Sequence, residues 1–268
     1  ANLGLWLRSD SVSFNDLDKD SVDLIYDMSG NGNHAEQLED NKIAFYNSSE
    51  PQVNGKPSIE FDGINDYYTS SGGAFGNLDS TTIFIVSQNK QFKNSGWIYQ
   101  NAPDGLNSSF SISYRNSPNI RFWNGGTSPF YDFSQDYALN NYHYFTIRRI
   151  NSQALNEFKF NGNDDGISNF VINNHSSNGY TIGQFNAGGE NLNGSIVEIL
   201  LYDQYLSTND IYKVENYIRH RYFPNQYIEP VYLGPDTILI DNFCEFYLHA
   251  AKNYISYQWN DNTAKDSV

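Results

Sequence analysis

The sequence predicts an all-β domain, a sandwich or barrel of about a dozen short strands with one α-helix at its C-terminal end. Three observations carry this. Asn31, Asn54, Asn124, Asn161, Asn178 and Asn193 each precede a glycine, as do Asp62, Asp104 and Asp165, and such pairs tolerate the positive φ of tight β-turns. Between these corners lie short runs rich in β-branched and aromatic residues. Strong helical periodicity occurs once, just before Pro224.

Taken in chain order, the expected strands are 3–7, 59–61, 82–87, 97–99, 109–114, 120–123, 142–149, 157–160, 169–172, 180–183 and 195–202. In Phe110-Ser111-Ile112-Ser113-Tyr114 the apolar side chains point one way and the serines the other. For the helix, Ser207 is the N-cap and Asp210 holds the capping-box position three residues on. Ile211, Val214, Tyr217, Ile218 and Tyr222 repeat at helical spacing. Arg219, His220 and Arg221 crowd the last turn, where cations suit the helix dipole, and Pro224 stops the run.

Composition agrees with this and excludes some functions. The 268 residues include 36 Asn and 39 Tyr plus Phe, with 31 acidic against 16 basic side chains and a net charge of -15. A sequence pI near 4.5 argues against sequence-independent nucleic-acid binding, which needs a basic stripe. No apolar run approaches the length that spans a bilayer. The chain opens Ala-Asn-Leu-Gly without a basic stretch, so any export signal is expected to have been removed. A lone Cys244 excludes an internal disulfide framework. After residue 224 the texture changes: 225–233 reads as a linker and 234–268 as a second β segment, too short for a core of its own.

Five stretches line up in order with one family pattern. They are Gly4-Leu5-Trp6-Leu7-Arg8, Asp27-Met28-Ser29-Gly30-Asn31-Gly32-Asn33-His34-Ala35, and Phe61-Asp62-Gly63-Ile64-Asn65-Asp66-Tyr67. The fourth is Leu192–Tyr202, and Leu206-Ser207 leads into the helix. Residues 1–224 thereby resemble the laminin-G-like, concanavalin-A-like jelly-roll modules of secreted bacterial proteins. The resemblance implies two antiparallel sheets face to face, with the first and last strands adjacent. In the tail, Leu233-Gly234-Pro235-Asp236-Thr237 and Ser256-Tyr257-Gln258-Trp259 resemble the start of an immunoglobulin-like repeat in surface proteins of Bacteroidetes-type bacteria. That likeness implies export to the cell surface within a multidomain protein. The family's usual cysteine after Asp-Thr is absent, since Leu239 and Ile240 stand there.

The residues bear on three chemistries. Jelly-roll glucanases carry Glu-x-Asp-x-x-Glu on one strand. The nearest approach here, Glu60-Phe61-Asp62-Gly63-Ile64-Asn65, ends on an Asn that cannot ionise, and Asp62-Gly63 reads as a turn. No Gly-x-Ser-x-Gly elbow exists, and His34, His143, His175, His220 and His249 show no triad or metal spacing. A structural calcium ion is the second candidate, with Asp27, Asn31, Asn33 and Glu198 as ligands. Asp27-x-Ser29-x-Asn31-Gly32 has the opening of a calcium loop but lacks its closing Glu, and adjacent first and last strands would bring Glu198 to it. Asn161-x-Asn163-x-Asp165-Gly166 and the Asp16, Asp18, Asp20, Asp23 loop are weaker sets. Asx side chains that cap their own turns account for the same patterns.

Carbohydrate is the third. Sugar rings stack on exposed aromatics while amides and carboxylates satisfy hydroxyls. Trp97, Tyr99, Trp123, Asn124 and Tyr131 are the expected contacts, with Phe130 and Phe133 beside them. The expectation is therefore a non-catalytic carbohydrate-binding or adhesive module that takes a polysaccharide or glycan. It is secreted or held at the cell surface, and neither binds nucleic acid nor inserts in a membrane. A divergent polysaccharide hydrolase or lyase, and a spacer without a ligand, are the alternatives.

Overall fold

The computed structural model describes residues 2–15, 18–70, 79–93, 95–100, 110–124, 127–171, 179–185 and 190–226. The chain divides into two units, Ala1–Pro224 and Asn225–Val268. The expected linker from residue 227 onward and the immunoglobulin-like segment lie outside the described residues.

Unit one is built from β1 (Leu3–Asn15), β2 (Asp18–Asp27), β3 (Ala35–Glu36), β4 (Phe45–Glu50), β5 (Lys56–Asp62), β6 (Tyr68–Ser70), β7 (Ser80–Asn89) and β8 (Ser95–Gln100). Then follow β9 (Ser111–Arg115), β10 (Ile120–Asn124), β11 (Thr127–Asp132), β12 (Tyr142–Ile150), β13 (Leu155–Phe160), β14 (Asn163–Ser168), β15 (Tyr180–Ile182), β16 (Asn193–Tyr202) and α1 (Thr208–Tyr222). Hydrogen-bonded neighbours run β11-β10-β9-β8-β15-β6-β3-β2-β4-β5-β16-β7-β12-β13-β14, and β1 pairs with both β16 and β2. First and last strands are thus adjacent, Trp6 opposite Leu200 and Arg8 opposite Glu198.

This path doubles over into two layers. Phe122 of β10 meets Phe158 of β13 with ring centroids 5.5 Å apart, and Phe133 meets Phe145 of β12 at 5.8 Å, though these strands share no ladder. The filling is aromatic and aliphatic: Leu5, Ile59, Ile85, Tyr99, Ile112, Phe122, Phe145 and Ile199 are all but inaccessible. The outer edges of the two layers meet where the Tyr131 ring stacks on Phe158 at 3.9 Å.

Several expected strands differ from those observed. β1 runs to Asn15, because Val12 and Phe14 continue the alternation through a polar stretch, with register shifts against β2. β2, β3, β4, β6, β11 and β14 fall outside the expected set. Residues 169–171 are not a strand: Asn161 and Gly162, at φ 48° and 81°, make a two-residue corner, so pairing with β13 resumes at once at Asn163.

The helix is as expected. Ser207 Oγ accepts from Asp210 N at 3.1 Å, and Ile211, Ile218 and Tyr222 are buried on the outer surface of the layer containing β12 and β16. Glu215 shares that buried stripe, its Oε1 accepting from Thr146 Oγ1 at 3.0 Å.

Candidate functional site

Strand register decides which aromatics can meet a ligand. Across β8, β9, β10 and β11, Trp97 lies opposite Ser113, Arg121 opposite Ser113 and Asp132, and Trp123 opposite Ser111 and Phe130. Directly opposed residues share a face. The alternate residues Ile112, Phe122 and Tyr131 belong to the interior. The outer face therefore carries Trp97, Trp123 and Phe130 with Arg121, Asp132 and two serines.

On this face the rings form a continuous row, stacked from Phe185 through Trp97 to Trp123 and tilted by 57° at Phe130. Trp97 stacks with Phe185 at 4.7 Å and with Trp123 at 5.7 Å, and Trp123 meets Phe130 at 5.4 Å. Both indole N–H groups are engaged, Trp97 Nε1 donating to Glu190 Oε2 at 2.6 Å and Trp123 Nε1 to Ser113 Oγ at 2.8 Å. The Arg121 guanidinium lies 4.7 Å from the Trp123 centroid and 3.5 Å from that of Phe130, and Arg115 lies 5.1 Å from Trp123. Arg121 holds Asp132 with two parallel hydrogen bonds, Nη2 to Oδ2 at 2.7 Å and Nε to Oδ1. Trp97 is 2% exposed and Phe130 42%, so the stack opens to solvent at its Phe130 end.

Two of the expected contacts turn inward. A register shift between Trp97 and Tyr99 sets Tyr99 opposite Ile112, so this bulge reverses the face that plain alternation assigns. Tyr99 is fully buried against Phe110 and Tyr180, and burial pushes its phenol well above the ordinary range. Tyr131 lies opposite Phe122. Its hydroxyl donates to Asp165 Oδ2 at 3.0 Å, and desolvation pushes it up to about 12. Asn124 is buried where β10 ends opposite Thr127, and Gly125 and Gly126 lie outside the described residues. Sequence reading missed Arg121 and Asp132, although Arg121-x-Trp123 has the two-residue period that shows a shared face. For Arg115, Phe185 and Glu190 no local signal existed.

The proposed calcium ligands do not fit a cation. The Asp27 carboxylate already accepts from Trp6 N (3.0 Å) and Ser29 N (2.9 Å) at Oδ1, and from Ser29 Oγ (2.8 Å) and Asn33 N (2.9 Å) at Oδ2. Asn31 and Asn33 direct amide N–H groups, not oxygens, at Gly4 O. Asn33 Oδ1 is buried without a hydrogen bond, but a single oxygen is far short of the six to eight that calcium takes. Glu198 does not join the loop. It lies opposite Arg8, whereas Asp27 lies opposite Leu7 one residue along the same strand, so the pleat sends them to opposite faces. Glu198 Oε1 instead accepts from Trp6 Nε1 at 2.5 Å and Tyr217 OH at 2.9 Å, and burial raises its pKa.

The second loop is closed in the same way. Asp165 accepts from Ser134 N at 2.9 Å and Gln135 N at 3.0 Å as well as from Tyr131. Asp16 and the side chain of Asp18 lie outside the described residues. Among the described residues, no three or more His, Cys, Asp or Glu side chains converge on a metal position.

Glu60 and Asp62 line a surface groove of about 570 Å³ together with Asp66, Lys90 and Phe45. Asp62 ends β5 and Asp62 Oδ1 accepts from Ile64 N at 2.6 Å, as its turn reading requires. Glu60 pairs with Lys90 at 2.6 Å. Asp66 Oδ2 accepts from Asp62 N at 2.8 Å, and desolvation pushes its carboxyl up to about 6. Of the histidines, His34 Nδ1 accepts from Asp27 N and His143 is buried in the core.

No protein-family model and no curated protein matches the sequence. Solved structures do match in shape. A botulinum neurotoxin type G receptor-binding domain superposes with a TM-score of 0.55 at 13% identity, covering 81% of this chain and 51% of that one. An arabinofuranosidase complexed with arabinofuranosyl-α-1,2-xylobiose gives 0.57 at 17%, covering 74% and 50%. A Trypanosoma rangeli sialidase gives 0.55 at 13%, covering 79% and 32%. The chain spans about half or less of these proteins' lengths. At such identities the likeness shows the fold, a jelly-roll β-sandwich, and nothing of the chemistry.

Proposed function

We propose that residues 1–224 form a non-catalytic carbohydrate-binding module whose site is the outer face of β8–β11. The observation that carries this reading is the Phe185–Trp97–Trp123–Phe130 stack, which ends in an aromatic ring 42% exposed and flanked by Arg121 and Asp132. Exposed aromatic faces beside convergent polar groups suit sugars, whose rings have apolar faces and hydroxyl edges. The neighbours in shape include receptor-binding and glycan-processing proteins, which makes a sugar-related role consistent with the fold. Export and a place on the cell surface go with this reading through the resemblance of residues 233–259.

Retention on polysaccharide affinity gels tests it. Wild-type chain is expected to be retarded by at least one polymer, with Phe130→Ala and Trp123→Ala each weakening binding by about tenfold or more. Both variants must keep the wild-type melting profile. Reducing-sugar release from the same polymers is expected to stay at background. Release that disappears in Glu60→Gln would establish an enzyme instead, and a chain that no polymer retards would be a spacer.

A further inference from the structure

We infer that the ligand of this face is a neutral, hydroxyl-bearing glycan and not a uronate-containing or sulfated one. The inference deepens the carbohydrate-binding reading and depends on it. Four charged side chains are described around the stack, Arg115, Arg121, Asp132 and Glu190, and their formal charges cancel. Arg121 is already held by Asp132 in a two-bond pair. Arg115 lies within electrostatic reach of both Asp132 and Glu190, and Glu190 is anchored by Trp97 Nε1. An anionic sugar would have to displace Asp132 from Arg121 to gain a charge-assisted contact, losing one such pair to make another. A neutral sugar packs against the part of Phe130 that Arg121 leaves exposed and uses the outer lone pairs and N–H groups of the existing pair for its hydroxyls. Beyond the site, a net charge of -15 repels a polyanion at any range that salt leaves unscreened.

The full chain is run on affinity gels of neutral polymers (xylan, mixed-linkage β-glucan, galactomannan) and acidic ones (polygalacturonate, alginate, a sulfated galactan). Each is measured at about 50 mM and about 500 mM NaCl, on either side of the physiological screening range. Retention is expected on at least one neutral polymer and on none of the acidic ones, changing less than about twofold with salt. Asp132→Asn frees Arg121, and is expected to add binding to acidic polymers at low salt that disappears at high salt. Wild-type binding to acidic polymers, abolished by Phe130→Ala, would overturn the neutral-ligand inference while leaving the site standing. Binding to no polymer, or binding that Phe130→Ala leaves unchanged, would overturn the site reading itself.

Discussion

At Trp97 and Tyr99 a single extra residue in the ladder determines which ring joins the outer face of the sheet and which turns into the interior. Two-residue spacing alone assigns them to one face, and nothing in the local sequence marks the bulge that separates them. The Asp27 loop was legible in its residues but not in their use. The same oxygen-rich spacing serves a cation or a set of backbone N–H donors, and only the direction of the Asn31 and Asn33 amides separates the two. A prediction belongs here. Asp27→Ala removes acceptors for four donors, three of them backbone or side-chain groups within the loop, and is expected to cost about 3 kcal/mol. Chelator and added calcium are expected to leave the wild-type melting midpoint within about 2 °C, since a bound ion would stabilise by mass action. A fall of several degrees with chelator alone would restore the metal.

At the scale of elements, α1 was readable because its signals are local: a Ser207 cap, periodic apolar residues and a basic last turn. β14 was not, because its sequence, Asn163-Asp164-Asp165-Gly166-Ile167-Ser168, has no strand composition. It pairs only because the Asn161-Gly162 corner returns it to β13, and because Asp165 is wanted elsewhere. That carboxylate reaches from β14, the last strand of one layer, to Ser134 N, Gln135 N and the hydroxyl of Tyr131 beside β11, the last strand of the other. The sandwich edge is thus held by the carboxylate of Asp165, helped by its backbone carbonyl, over and above the Tyr131–Phe158 stack. Asp165→Ala is expected to destabilise the domain by about 2 kcal/mol. Hydrogen exchange should show the loss first in the amides of β11 and β14, ahead of β12 and β7. Uniform loss across all strands would mean that the edge is held by ring packing alone.

For the whole molecule, layered architecture follows from turns and alternation, so it was visible in the chain, whereas the acid response depends on which ionisable groups the layers enclose. His143 is enclosed completely. Its Nε2 lies 2.8 Å from the Tyr114 hydroxyl, itself 2.7 Å from Ser87 Oγ, and its ring contacts Tyr137, Phe145 and Phe160. Desolvation pulls its pKa down to about 3. The folded chain therefore stays neutral at His143 while the unfolded chain takes up a proton near the ordinary histidine value of about 6.5. Stability from this source is present above that value and declines as pH falls toward 3, by up to about 1.4 kcal/mol per pH unit. Asp66 works in the opposite sense. Its carboxyl is raised to about 6 in the fold, so its contribution is present below the ordinary aspartate value and is lost as pH rises through 6. Glu198 and Glu215, both raised by burial, act in the same direction as Asp66. Comparing variants separates these opposed terms. Urea unfolding at pH 7, 6, 5 and 4 is expected to show wild type losing ground to His143→Phe by about one proton's worth of free energy per unit below 6.5. Against Asp66→Asn, wild type should gain ground between pH 6 and 4. Parallel curves for wild type and His143→Phe would mean that the buried imidazole takes up its proton over the same pH range as in the unfolded chain, and would overturn the lowered pKa.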